Sequence, residues 1–144
     1  MAGTDFNLQR FVDAQDRDRV YECAFAELRA GRKQGHWMWF VFPQLAGLGS
    51  SETARFFAIA GLEEASAYLA HPLLGPRLVA STEALLALPG TDPVAVLGEI
   101  DALKLRSSMT LFSRVAGGDP AFKLVLDRFY GGVADDATQR LLEP

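Results

Sequence analysis

The chain has 144 residues, of which 49% are hydrophobic and 22% charged, and its formal net charge is −4. This length and composition fit one globular domain and exclude a disordered chain. The acidic balance and the scattered bases disfavour a nucleic-acid partner, because phosphate neutralisation dominates that affinity. No stretch of about 18 apolar residues and no signal-peptide pattern occurs, so we expect a cytoplasmic protein without a membrane span.

Apolar residues at helical spacing predict a succession of short helices separated by glycine and proline breaks. The expected ranges are 8–15, 16 or 17 to 30, 62–70, 72–88, 93–98, 99–115, 120–130 and 136–142, and Asp135 is expected to cap the last of them. Residues 52–60 are compatible with either a helix or a short strand, and Ser50 or Ser51 is expected to cap the element that begins there. We therefore predict a mainly α, single compact multi-helix domain over residues 1–144, with room for one minor strand element.

Residues 35–51 form the most aromatic segment and contain both tryptophans. Such a segment must be buried to avoid aggregation, while Pro43, Gly47 and Gly49 prevent one long helix. We expect a non-regular core segment that also shapes a pocket, with simple core packing as the alternative. The turn at residues 47–51 either caps the next helix or offers backbone N–H groups to a phosphate.

Four residues of this segment have side chains suited to a ligand. The indoles of Trp37 and Trp39 can stack on a planar ring, and Gln44 can hydrogen-bond the edge of that ring. His36 can serve as an acid, a base or a hydrogen-bond donor. The alternative for His36 is a histidine whose ring is satisfied by the backbone.

The predicted helix over residues 99–115 carries a polar stripe between apolar flanks. Asp101, Lys104 and Ser108 share this stripe, and Ser107 lies one turn from Lys104. A lysine in an apolar setting can act as a base or a nucleophile, oriented by the aspartate, while the serines donate to an anionic or sugar-like ligand. The alternative is an ordinary exposed ion pair.

Metal and cysteine chemistry are not expected. His36 and His71 have no spacing that suits zinc, and one cysteine forms neither an intramolecular disulfide nor a cysteine-based metal site. We predict no metal and no cofactor. Cys23 is expected to be a small buried core residue.

Several motifs resemble a known family over nearly the whole chain. They are Phe6-x-Leu8-x-Arg10-Phe11, His36-Trp37-Met38-Trp39-Phe40-Val41-Phe42-Pro43-Gln44, Tyr68-Leu69-x-His71-Pro72 and Asp101-x-x-Lys104-x-x-Ser107-Ser108. They resemble the bacterial family called domain of unknown function 1810, some members of which are labelled calpastatin-like. The resemblance implies a mainly helical soluble domain and supplies no activity. A helix with an acid and a lysine, followed by Phe122-x-x-x-Leu126, is also similar to the NADAR (YbiA-like) proteins, which handle ADP-ribose or related N-glycosides.

Together these features predict one polar pocket for a nucleoside- or ADP-ribose-like ligand, in either a binding protein or an N-glycoside hydrolase. The walls are Trp37 or Trp39 and Gln44, and the floor is Asp101, Lys104, Ser107 and Ser108. In a hydrolase, Asp101 or His36 activates water, while Lys104 stabilises negative charge or attacks the sugar carbon. The alternative is a non-catalytic interaction or dimerisation module. The sequence leaves open whether the chain is an enzyme and what its oligomeric state is.

Overall fold

The computed structural model describes residues 6–143, and these fold into short helices. Most of them lie where the apolar spacing predicts, but a one-turn helix at Met38–Val41 lies in the aromatic segment that was expected to be non-regular. The helices are α1 (Gln9–Asp16), α2 (Val20–Ala30), α3 (Met38–Val41), α4 (Glu52–Phe56), α5 (Leu62–Ala70), α6 (Leu74–Leu86), α7 (Pro93–Leu97), α8 (Glu99–Ser113), α9 (Ala121–Tyr130) and α10 (Asp136–Leu142). The mainly α class is confirmed. Among residues 6–143, none of the helices combines the length and apolar character needed to cross a bilayer.

Side-chain caps fix several helix starts at the positions that the sequence indicates. The Ser51 hydroxyl accepts a hydrogen bond from the Ala54 N–H at 3.0 Å and begins α4. Asp135 caps α10 in the same way, with its carboxylate 2.9 Å from the Thr138 N–H. A cap satisfies backbone donors that have no partner inside the helix, so these starts are set locally.

The predicted start of the second helix at residue 16 or 17 was wrong. The first helix continues to Asp16, and a 3-10 turn at Arg17–Arg19 separates it from α2. Asp18 and Arg19 have φ values of 51° and 57°. Two successive residues in the left-handed region cannot continue a right-handed helix, so α2 begins only at Val20.

The expectation for Cys23 was also wrong, because its side chain is exposed. The buried positions of α2 are Ala24 and Leu28, four residues apart on one helix face. Cys23 lies outside that buried stripe, so fewer residues of this helix are buried than its apolar composition suggests.

Residues 52–60 form a helix followed by an isolated bridge residue, and no strand occurs in this segment. Helix α4 ends at Phe56, and Ile59 then forms an isolated parallel bridge with Leu45. The Ile59 N–H donates to the Gln44 carbonyl at 2.8 Å, and the Ala46 N–H donates to the Ile59 carbonyl at 2.8 Å. This bridge holds the end of the aromatic segment beside α4.

The core is a continuous chain of buried rings between the helices. Tyr68 lies with its ring centroid 5.1 Å from that of Phe11 and 5.5 Å from that of Phe112, which in turn is 5.8 Å from Phe122. These four residues are fully buried and come from α1, α5, α8 and α9. Aromatic burial of this extent stabilises one fixed helix arrangement.

A buried ion pair fixes the segment that follows α4. The Arg10 guanidinium lies 3.0 Å from the Glu64 carboxylate and donates to the carbonyls of Phe56 at 2.7 Å and Ala58 at 2.8 Å. The other oxygen of Glu64 accepts from the Ala60 N–H at 2.7 Å. We call this the Arg10–Glu64 cluster. Because every group in it has a partner, residues 56–60 are held in one conformation.

Candidate functional site

The aromatic segment and α8 meet at Trp39. The Lys104 ammonium lies 3.7 Å from the centroid of the Trp39 ring, and the Asp101 Oδ1 atom is 3.3 Å from the same ammonium. The Lys104 side chain is 18% exposed. A largely buried cation over an indole face is an attractive contact, which holds this ring in place.

A second lysine, which the sequence does not single out, completes this cluster. The Lys33 ammonium is 2.8 Å from Asp101 Oδ2, and it also donates to the Gly35 carbonyl. Its side chain is only 9% exposed, and its ammonium lies 5.0 Å from the Trp37 ring centroid. Asp101 therefore has one ammonium group at each of its oxygens. No local pattern indicates this role, because Lys33 and Asp101 are far apart in the chain.

Glu27 organises the loop that carries Lys33 and leads into the aromatic segment. One of its oxygens accepts hydrogen bonds from the Gln34 N–H at 2.7 Å, the Gly35 N–H at 3.0 Å and the Trp37 indole N–H at 2.9 Å. Partial burial of Glu27 opposes ionisation, but these three donors and the charge of Lys33 outweigh it and lower the pKa of the carboxyl. The carboxylate thus stabilises the loop.

A cavity of about 360 Å³ lies beside Trp39. It is lined by Trp39, Gln44, Leu45, Ala46, Gly47, Gly49, Ala54, Arg55, Phe57 and Ala58. The backbone of Gln44 is held by the bridge to Ile59, whereas its carboxamide makes no hydrogen bond with residues 6–143. Arg55 forms no ion pair within the same described part of the chain. Two polar side chains at this cavity are therefore free for a ligand.

The structure brings some of the predicted residues together and separates others. Trp39 and Gln44 both line the cavity, and Trp39 also contacts Lys104 of the Asp101–Lys104 pair on α8. Trp37 is 1% exposed and packs in the core, so of the two indoles it is Trp39 that lines the cavity. His36 is exposed and is absent from the residues lining the cavity.

The two serines of α8 turn inward and do not line this cavity. The Ser107 hydroxyl donates to the Leu103 carbonyl of its own helix at 3.2 Å. Ser108 is fully buried, and its hydroxyl has no hydrogen-bond partner among residues 6–143. Catalytic and binding roles for these residues, and for Asp101, Lys104 and His36, stay predictions. In the described part of the chain, no group of three or more His, Cys, Asp and Glu residues is arranged to hold a metal ion.

Comparison with known proteins identifies relatives but no activity. The family described as "Protein of unknown function (DUF1810)" matches residues 5–142. The crystal structure of the conserved hypothetical protein Rv1873 from Mycobacterium tuberculosis has a TM-score of 0.92 and 52% sequence identity, covering 95% of this chain and 96% of that chain. No curated protein matches the chain.

Proposed function

The chain belongs to the DUF1810 family of proteins of unknown function, and we propose that it binds a nucleoside-like ligand in the cavity beside Trp39. One observation carries this proposal. Trp39 has the Lys104 ammonium 3.7 Å above its ring and lines a cavity of about 360 Å³, at which the side chains of Gln44 and Arg55 have no partner among residues 6–143.

The indole offers the ligand a fixed stacking surface. Lys104 covers one face of Trp39, so a planar ring in the cavity meets the other face or the edge of the indole. Stacking of a base on an aromatic side chain contributes roughly 1–3 kcal/mol. Since Asp101 and the indole both attract the Lys104 ammonium, we interpret Lys104 as a residue that positions Trp39.

Gln44 supplies the polar contact that a base edge requires. Its backbone is fixed by the 2.8 Å hydrogen bond from the Ile59 N–H, so its side chain projects from a rigid point. A carboxamide carries both a donor and an acceptor, which is the combination found on the edges of nucleobases. The cavity volume falls within the roughly 300–1,000 Å³ range of small-molecule sites.

The geometry favours binding over N-glycoside hydrolysis. Both oxygens of Asp101 face ammonium groups, which leaves this carboxylate poorly placed to activate water. The Lys104 ammonium is held by Asp101 and Trp39, which suits a structural cation better than an amine nucleophile. His36 is exposed and is not among the residues that line the cavity. The comparisons do not show the NADAR resemblance that the sequence suggests, and ADP-ribose is included among the probes to test it.

Isothermal titration calorimetry with adenosine, guanosine, cytidine, uridine and ADP-ribose tests the proposal. We expect Trp39→Ala to weaken binding roughly 5- to 150-fold, because it removes the stacking surface. Trp39→Phe should retain most of the affinity. Phe56→Ala is the matched control, since Phe56 is 55% exposed and does not line this cavity.

Two outcomes would contradict this assignment. One is that none of the five compounds binds the wild-type protein, and the other is that Trp39→Ala leaves their affinities unchanged. Chromatography of the same mixtures detects released base. Release that disappears in Lys104→Ala would establish the N-glycoside hydrolase instead of the binding protein.

The second candidate function is an interaction or dimerisation module. It is favoured by two large apolar side chains one turn apart on α8, Ile100 at 71% and Leu103 at 64% exposed. Exposed apolar side chains grouped on one face are typical of protein contacts. Sedimentation velocity tests this candidate. A dimer that dissociates in the Leu103→Glu variant would support it, and a monomer at all concentrations would exclude dimerisation.

A further inference from the structure

We infer that the ligand of the Trp39 cavity carries an anionic group such as a phosphate, and that Arg55 is the residue that recognises it. The inference rests on the proposed function, because it specifies the ligand class of the same site. It makes the expected ligand a nucleotide and not a neutral nucleoside.

The first support is the unpaired charge of Arg55. Of the described residues that line the cavity, Arg55 is the one with a charged side chain. It forms no ion pair with residues 6–143, and Glu52, the acid one turn earlier on α4, does not pair with it. A guanidinium presents a planar fork of N–H donors that matches the oxygens of a phosphate.

The other nearby cations are already engaged. Lys33 and Lys104 both lie within ion-pair distance of Asp101, at 2.8 Å and 3.3 Å. Arg10 is bonded to Glu64 and to backbone carbonyls in the Arg10–Glu64 cluster. A ligand anion would have to displace those partners, whereas Arg55 has none in the described chain to displace.

The loop before α4 supplies a second set of donors at the same cavity. Gly47 and Gly49 line it, and their backbone N–H groups make no hydrogen bond with residues 6–143. A Cβ atom at Gly49 would lie 2.6 Å from the Ala54 Cβ, so only glycine lets this loop approach α4 so closely. Backbone N–H groups beside a guanidinium form a suitable environment for an anion.

The experiment compares each nucleoside with its own 5′-monophosphate by calorimetry. We expect the monophosphate to bind on the order of tenfold more tightly to the wild-type protein, with an advantage that shrinks as NaCl is raised. In Arg55→Gln most of this advantage should be lost, because only the backbone N–H groups of Gly47 and Gly49 then remain for the phosphate. Arg55→Lys should keep part of the advantage, and Arg114→Gln, which removes a charge from an exposed residue outside the cavity lining, should keep all of it.

The outcomes separate this inference from the proposed function. Trp39-dependent nucleoside binding with no gain from the phosphate overturns the inference and leaves the proposed function intact. A phosphate advantage that is undiminished in Arg55→Gln also overturns the role of Arg55. If neither member of any pair binds, the proposed function fails, and the inference fails with it.

Discussion

The Arg10–Glu64 cluster and the Trp39 cavity both include residues of the segment 55–60, but the arginine of the cluster is ion-paired and the arginine of the cavity is not. Arg10 directs its guanidinium to Glu64 and to the carbonyls of Phe56 and Ala58. Arg55, at the cavity, has no ion-pair partner among residues 6–143. A charge buried in this fold therefore has to be paired, because the loss of its partner is costly, whereas a charge left unpaired beside a cavity is available to a ligand.

The largest expected effect on stability comes from breaking the Arg10–Glu64 ion pair. Arg10→Ala leaves Glu64, whose side chain is 3% exposed, as an uncompensated buried charge. We expect the free energy of unfolding to fall by about 3–5 kcal/mol. Urea denaturation followed by circular dichroism measures it. The matched control is Arg55→Ala, which should change stability by less than about 0.5 kcal/mol because Arg55 is exposed. Equal losses in the two variants would show that the comparison is wrong.

A smaller, pH-dependent effect is expected at Glu27, another carboxylate whose partners are all protein groups. Its pKa is lowered below the ordinary value of 4.5, so its contribution to stability is present above that value and is lost as pH falls through the folded-state pKa. Glu27→Gln should therefore cost on the order of 1 kcal/mol at neutral pH.

The difference in stability between the wild type and Glu27→Gln should disappear as the pH is lowered below the ordinary pKa of a glutamate. Thermal melts from neutral pH to about pH 3 measure the closing. Glu63→Gln, at an exposed position of α5, is the control and should track the wild type at neutral pH. A stability gap for Glu27→Gln that stays constant across this range would mean that ionisation of Glu27 is not what stabilises the loop.

The last expected effect is no larger than the one at Glu27 and has the opposite sign, because it concerns a buried polar group without a hydrogen-bond partner in the described chain. The Ser108 hydroxyl is fully buried without a partner among residues 6–143. Ser108→Ala removes an unpaired group and should stabilise the protein by about 1 kcal/mol. Ser107→Ala, which loses only the bond to the Leu103 carbonyl, is the control and should be near neutral. A loss of stability in Ser108→Ala, measured by denaturation, would indicate that this hydroxyl has a partner.

Much of the fold was predictable because its signals are local. The 3- and 4-residue apolar spacing indicates α5 and α9, and the capping residues Ser51 and Asp135 indicate the starts of α4 and α10. The break at Arg17–Arg19 was not predicted, because the residue types of Asp18 and Arg19 do not indicate a positive φ. Positive φ values are uncommon for residues other than glycine, so residue types alone do not predict them at these two positions.

The candidate site was predictable only in part. The sequence indicates that an aromatic segment and a polar stripe on α8 matter, and the structure places Lys104 over Trp39. The sequence did not indicate Lys33 or Arg55, because the importance of each depends on which residues lie beside it in space. Nor could it separate Trp37 from Trp39, since a buried indole and one that lines a cavity have the same local pattern.

Local sequence patterns suffice to predict a mainly helical chain, its caps and a buried aromatic segment, because apolar spacing and capping act between residues a few positions apart. Three features become visible only in the folded molecule: which charges are paired, which indole lines the cavity, and which arginine has no ion-pair partner in the described chain. Those features arise from contacts between distant parts of the chain, and no short-range pattern encodes them.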